Sequence, residues 1–290
     1  MDESLLQWLR LREPADAAAR SERLTQVIAD TLPAGAPLSV LDLATGRGSN
    51  VRYLAGRLPS PQRWLAVDRS AALLAGLRDE MTSWGGARGK VRADAHSCVI
   101  RGVGFECDVE TRQMDLGRLD RPEIFVGRQL VTASALLDLV SEEWLRTLAT
   151  HCRAVGASVL LTVTYNGRSS CMPTEPEDDL VRDLMNQHQK SDKGLGGPAA
   201  GPDAAACAER CFAEAGYLVQ RAPSDWTLEP TETEMQRMLI DGWAHAATEM
   251  APDRASTIAR WRARRLAHVD AGRSRLSVDH DDLAATMPSR

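Results

Sequence analysis

The chain has 290 residues, 43% of them hydrophobic and 26% charged, with a formal net charge of -5. That length suits one large domain or a domain with an appended lobe, and the apolar fraction is enough for a sizeable core. The acidic balance argues against a nucleic-acid partner, whose phosphates need a basic footprint, and no apolar run is long enough to cross a membrane.

The start, Met1-Asp2-Glu3-Ser4, lacks the charged-then-apolar order of a signal peptide. The six cysteines, Cys98, Cys107, Cys152, Cys171, Cys207 and Cys211, form no Cys-x-x-Cys pair and read as buried thiols. Both features fit a reducing cytoplasm.

Residues 13–32 read as a helix with Leu24, Val27 and Ile28 at helical spacing, ended by Pro33 and Pro37. A strand over 38–43 then ends at Asp42-Leu43. A turn, Ala44-Thr45-Gly46-Arg47-Gly48, leads into a helix over 49–58. A second strand, 63–67, ends in Asp68 and is followed by a helix over 70–84, broken at Gly85-Gly86. Glycines in such a turn let backbone approach a ligand closely. A carboxylate after the second strand can accept both hydroxyls of a ribose.

Two ligand classes use this geometry. A dinucleotide site wants a third small residue for tight helix–strand packing. Here Gly46-Arg47-Gly48-Ser49-Asn50-Val51 puts a β-branched valine there. Asp42, Gly46, Gly48 and Asp68 at their spacing resemble instead the first two motifs of class I S-adenosylmethionine (SAM)-dependent methyltransferases, with Ala44 in the place of the first glycine. The resemblance covers about 38–228. It implies S-adenosyl-L-methionine as cofactor. It implies cofactor contacts from Asp42, Ala44, Gly46, Gly48, Asn50, Asp68 and Arg69.

Downstream, 98–108 and 109–115 read as short β segments, 124–134 as a strand, and 141–153 as a helix capped by Ser141. Residues 157–165 form a nearly continuous apolar strand, as a doubly covered central strand would. A helix over 204–215 ends at Gly216, and 217–220 with 226–228 resemble a closing hairpin. Alternating strands and helices predict an α/β fold with a mainly parallel sheet. The resemblance makes this a Rossmann-like seven-stranded sheet whose last strand is antiparallel. The expected organisation is an N-terminal helical cap (1–37), a methyltransferase domain (38–230, insertion 166–203) and a C-terminal helical extension (231–290).

In open parallel sheets, ligands bind outside the carboxyl ends of the strands. By resemblance, Asp115 and Leu116 at the third exit border the adenine, with Asp94 as the rival for that place. Asp115 could equally cap the next turn. Ser134 and Leu136 at the fourth exit border the methyl group. Asp138 lies where many small-molecule members carry a histidine, as a base or as a helix cap. No Asp-Pro-Pro-Tyr, Asn-Pro-Pro-Tyr or Pro-Cys nucleophile stands there. No clean Asp…Asp-Asn ligand set is seen, so no metal is expected; Asp138 with Tyr165-Asn166 is the weak metal-dependent alternative.

The insertion contains a helical stretch, 177–188, and a Gly/Pro-rich loop, the makings of a substrate lid. Its His188-Gln189 and Asp192-Lys193-Gly194 resemble a run shared by a bacterial group of the same family. His188 is the second catalytic candidate, or an ordinary surface histidine. Tyr165, Asn166, Gln189, Asp192 and Lys193 are substrate candidates. Arg10, Arg12 and Arg20 of the N-terminal helix could reach an anionic group.

Residues 231–268 read as helix throughout, with Met235, Met238, Leu239 and Trp243 on one face as core, substrate wall or the surface of a homodimer. Arg260, Arg262, Arg264 and Arg265 read as a solvated cluster. The function expected is SAM-dependent methyl transfer to an oxygen or nitrogen of a small-molecule acceptor. The alternatives are an NAD(P)-dependent oxidoreductase and a non-catalytic binding module of the same fold. Ala44 and the missing histidine motif keep the latter open.

Overall fold

The strand β1 (Leu38–Leu43) sends Leu38 and Val40 to one side and Leu41 and Leu43 to the other, so both its faces are apolar. Such a strand has to be covered on both sides. The computed structural model, which describes residues 3–33, 35–94 and 96–288, shows how.

Two helices, α1 (Glu3–Ala19) and α2 (Glu22–Thr31), precede β1. Then follow α3 (Ser49–Ala55), β2 (Gln62–Asp68), α4 (Ala71–Gly86), β3 (Gly89–Ala93), β4 (Ser97–Gly102) and β5 (Phe105–Gln113). The second half holds β6 (Leu130–Ser134), α5 (Glu142–Val155), β7 (Ser158–Met172), α6 (Asp178–Gln189) and α7 (Ala204–Glu214). It ends with β8 (Leu218–Pro223), β9 (Trp226–Leu228), α8 (Thr233–Met250), α9 (Ala255–Asp270) and β10 (Arg275–Thr286).

The sheet order is β3-β4-β5-β2-β1-β6-β7-β10-β8, with β9 also paired to β10. The five strands from β5 to β7 run parallel, and β10 runs antiparallel between β7 and β8. The chain winds outward from β1 through β2 to β5, then restarts at β6 on the other side of β1. Ligands of open α/β sheets bind at such a reversal.

One core layer joins α2, α3 and α4 to the sheet through Leu24, Ile28, Val51, Leu54, Leu77 and Met81. The other face carries α5 and α7, with Trp144, Leu148 and Phe212 buried. A third cluster gathers α6, α8 and α9 around Val181, Ile240, Trp243 and Trp261 against the far half of β7 and β10. All six cysteines are buried and unbridged.

Several expectations need correction. The 13–32 helix is two helices: α1 starts at Glu3 and runs through Pro14, and Ser21 caps α2. The 124–134 strand begins only at Leu130, and β4 and β5 form a hairpin with bounds unlike those read from sequence. The sheet has ten strands rather than seven, because β3, β4 and β9 add to the expected core. The 217–228 hairpin does not form: β8 and β9 each pair with β10 instead of with each other. Residues 231–290 are therefore no separate helical extension, since β10 lies inside the sheet. The first seven residues of the 166–203 insertion continue β7 as strand. Among the described residues no helix is long and apolar enough to cross a membrane.

Candidate active site

The turn after β1 is held open from within. Asp42 is fully buried, and its carboxylate accepts from Thr45 Oγ1 at 2.5 Å and Asn50 Nδ2 at 2.6 Å. Burial pushes the Asp42 carboxyl up to about 6, against the effect of those two hydrogen bonds. Asn50 Oδ1 accepts from Arg20 Nη1 at 2.7 Å, and Arg20 Nη2 reaches Ser134 Oγ at 2.8 Å. Arg20 thus ties the exits of β1 and β6 together.

Ala44, Gly46 and Gly48 all take left-handed backbone, with φ of 51°, 56° and 79°. Ala44 holds this backbone although it is not a glycine. The two glycines differ in purpose. A Cβ on Gly46 would meet nothing within 4 Å, whereas one on Gly48 would stand 2.8 Å from Leu77 Cγ. Gly46 leaves open space, and Gly48 lets α3 pack against α4. Asp68 accepts from the Gly46 N–H and the Ser70 N–H, each at 2.9 Å.

These groups floor a cavity of about 210 Å³ lined by Asp42, Ala44, Gly46, Asn50, Asp68, Ser134 and Leu136, among others. Its roof is α1, which contributes Leu5, Leu9, Arg10, Arg12, Glu13 and Asp16.

A second cavity of about 390 Å³ adjoins it, and the two share Arg12, Ala135 and Leu139. Ala135 sits at this junction with φ of 53°, just past the end of β6. The second cavity is walled by Trp8, Trp226 and Trp243, with Tyr165, Asp138, His188, Gln189 and His280. Asp138 is buried, and that burial pushes its carboxyl up to about 6. Tyr165 donates to Asn186 Oδ1 at 2.9 Å, and burial raises its phenol. His280, on β10, packs 4.6 Å from the Trp226 ring, and burial beside Arg12 holds its imidazole down at about 4.

A bend in β7 helps shape this wall. Val163 lines the cavity with φ of 55°, an unusual backbone for a β-branched residue. Its N–H donates to Asp282 Oδ1 at 2.8 Å, and the β7–β10 register slips nearby. Asp282 also accepts from Ser21 N–H at 2.8 Å, so one buried carboxylate fixes both the bulge and the start of α2.

The sequence candidates divide. Asp42, Ala44, Gly46, Asn50, Asp68, Ser134 and Leu136 line the first cavity, and Asp138, Tyr165, His188 and Gln189 the second. Gly48 supports the floor from behind. Arg69 is exposed and lines neither cavity. Asp115 is exposed, caps its own turn through the Gly117 N–H, and lines a separate polar hollow with Asp192; Leu116 is core. Asp94 caps the β3–β4 turn.

Arg20 is a buried strut and lines neither cavity. Asn166 lies against β10, and Lys193 donates to the His188 carbonyl at 3.1 Å; neither lines a cavity of this pair. His188 Nε2 stands 3.0 Å from Glu249 Oε2. Leu239 and Trp243 of the C-terminal stripe face inward to the second cavity, and Met235 faces the core. Arg264 and Arg265 pair with Glu175, Glu177 and Asp178. Sequence reasoning missed Trp8, Trp226 and His280. Their only signal was apolar or polar spacing on elements whose partners could not be read.

No family model and no curated protein matches the chain. Solved structures do. A cyclopropane synthase from Mycobacterium tuberculosis matches at 10% identity, covering 99% of this chain and 95% of its own, with a TM-score of 0.49. A geranyl diphosphate C-methyltransferase from Streptomyces coelicolor, solved with S-adenosyl-L-homocysteine, matches at 14%, covering 91% and 75%, with a TM-score of 0.44. A [4+2]-cyclase matches at 14%, covering 92% and 82%, with a TM-score of 0.41. These are distant likenesses.

Proposed function

We propose that this chain is a SAM-dependent methyltransferase acting on an oxygen or nitrogen of a small-molecule acceptor. The observation that carries the reading is the pair of cavities meeting at Arg12, Ala135 and Leu139. The first fits the cofactor. Gly46 presents no side chain to it, and Asp68 keeps lone pairs beyond its two backbone N–H bonds for a ribose. Arg10 and Arg12 on the roof suit an amino-acid carboxylate.

Bound there, the cofactor supplies an electrophilic methyl group. The chain's part is alignment and exclusion of water. Ala135 places the junction, α1 closes the roof, and the indoles hold an acceptor's apolar frame. Asp138 offers a carboxylate that can take a proton from the acceptor.

Isothermal titration with SAM, S-adenosylhomocysteine and NAD tests this. Micromolar binding of the first two is expected, about -8 kcal/mol, with none of NAD. Tight NAD binding without SAM binding would overturn it.

A further inference from the structure

Charges around the second cavity come in matched pairs, with one exception. Arg12 Nε and Nη2 donate to the two oxygens of Asp16 at 3.0 and 3.3 Å. His188 is matched by Glu249. His280, held near 4, is neutral at physiological pH. Asp138 is buried, more so than Arg12 or His188, yet among the described residues no other side chain hydrogen-bonds to it. Two opposite charges act on it through space without a hydrogen bond: Arg12, in the same lining, which commits Nε and Nη2 to Asp16, and Lys193, outside the lining, which commits its ammonium to the His188 carbonyl.

An ionised carboxylate out of water costs several kcal/mol unless a counter-charge meets it. A ligand cation would supply one. The walls favour the same ligand, because indole faces attract cations. Arg12 already lies over Trp8 and Trp226, at 5.7 and 5.0 Å from the ring centres. Among the described residues no ring or cation packs on Trp243. Gly242, one residue earlier on α8, also lines the cavity, and a Cβ there would meet nothing within 4 Å. That gap leaves room for a carbon frame.

The geometry points to a small amine as acceptor, bound as its ammonium against the Asp138 carboxylate with its carbon frame among Trp8, Trp226 and Trp243. Asp138 takes one ammonium proton, and the freed nitrogen lone pair forms the N–CH3 bond as the S–CH3 bond breaks and S-adenosylhomocysteine leaves. This deepens the methyltransferase reading and rests on it. An alcohol of the same frame would leave the buried charge unmatched, and an acid would be repelled by it.

The test compares benzylamine with benzyl alcohol on the full-length protein, with and without saturating S-adenosylhomocysteine. Calorimetry and tryptophan emission read binding. Benzylamine is expected to bind at least about tenfold more tightly. Asp138→Asn should shrink that preference to within about threefold. Gly242→Leu, which fills the cavity from α8, should weaken both probes while S-adenosylhomocysteine binds as before.

Equal binding of the two probes, or a preference that survives Asp138→Asn, overturns the amine site. So does Asp138→Asn weakening SAM but not S-adenosylhomocysteine without touching the probes, which would make Asp138 the sulfonium's counter-ion. A protein that prefers benzylamine through Asp138 yet binds neither nucleoside would instead overturn the methyltransferase reading.

Discussion

Glu13 on α1 and Arg52 on α3 form a two-pronged ion pair, Nε to Oε1 at 2.9 Å and Nη2 to Oε2 at 2.5 Å. Arg52 also donates to the Arg47 carbonyl at 2.7 Å, so the roof of the first cavity is fastened directly to its glycine turn. Glu13→Ala would leave a buried guanidinium with only that carbonyl. Charge-assisted pairs of this kind contribute about 1–3 kcal/mol. S-adenosylhomocysteine should then bind about tenfold more weakly, and the amides of α1 should exchange faster. Unchanged affinity and exchange would show that the roof does not depend on this pair.

Asp68 is expected to hold the ribose. Replacing it with alanine removes a charge-assisted acceptor, a loss of about 1.5–3 kcal/mol, or one to two decades in affinity. Its bonds to Gly46 and Ser70 would be lost too, so Asp68→Asn, which keeps one acceptor oxygen, separates turn geometry from charge. The asparagine variant should melt normally and still bind weakly. An unchanged dissociation constant in both variants would remove Asp68 from the cofactor site.

Ala44 and Gly48 should respond oppositely to exchange. Left-handed backbone costs a non-glycine residue about 1–2 kcal/mol. Ala44→Gly relieves that cost but loosens the unfolded chain by about 0.4–1 kcal/mol. Its net effect on urea denaturation should be small and stabilising. Gly48→Ala adds the same strain and drives a Cβ to 2.8 Å from Leu77, so it should destabilise by well over about 1 kcal/mol. The reverse order would mean that the turn relaxes in solution.

Much of the first cavity was legible, because its chemistry is local. The Asp42 to Asp68 stretch is contiguous, and its elements follow from strand-turn-helix periodicity. Asp115 stayed open between an adenine contact and a turn cap, because the two look alike in one dimension; it caps its turn through the Gly117 N–H. The strand β10 was invisible for a different reason. It lies inside the sheet, yet reads Asp279-His280-Asp281-Asp282 at its middle. Asp282 is buried because it serves the Val163 bulge and α2, and His280 because it packs on Trp226. A hydropathy reading takes such a run for a loop. The second cavity was legible only in part. Asp138, Tyr165, His188 and Gln189 stood out as candidates, but Trp8, Trp226 and His280 did not, since its walls come from α1, α6, α8, β7, β9 and β10 and nothing in their spacing says that they meet.

Asp138 should reveal a conflict between stability and function. Its carboxyl ordinarily titrates near 3.8 and is raised to about 6 in the fold, chiefly by burial. The folded state therefore holds this proton more tightly than the unfolded state does. The associated stability is fully present below the unfolded value, falls through the window from about 4 to 6, and is gone above it. At neutral pH the wild-type chain carries this buried charge as a cost. Asp138→Asn removes it, so the variant should be more stable than wild type at pH 7 by about 1–3 kcal/mol, a rise of several degrees in melting temperature. The gap should close as pH drops below about 4, where the wild-type carboxyl is protonated in both states. Melting curves of the two proteins from about pH 3 to 8, in buffers of equal ionic strength, give the answer directly. A variant less stable than wild type at pH 7 would mean that the Asp138 carboxylate is already satisfied inside the protein, leaving no charge for a ligand to match.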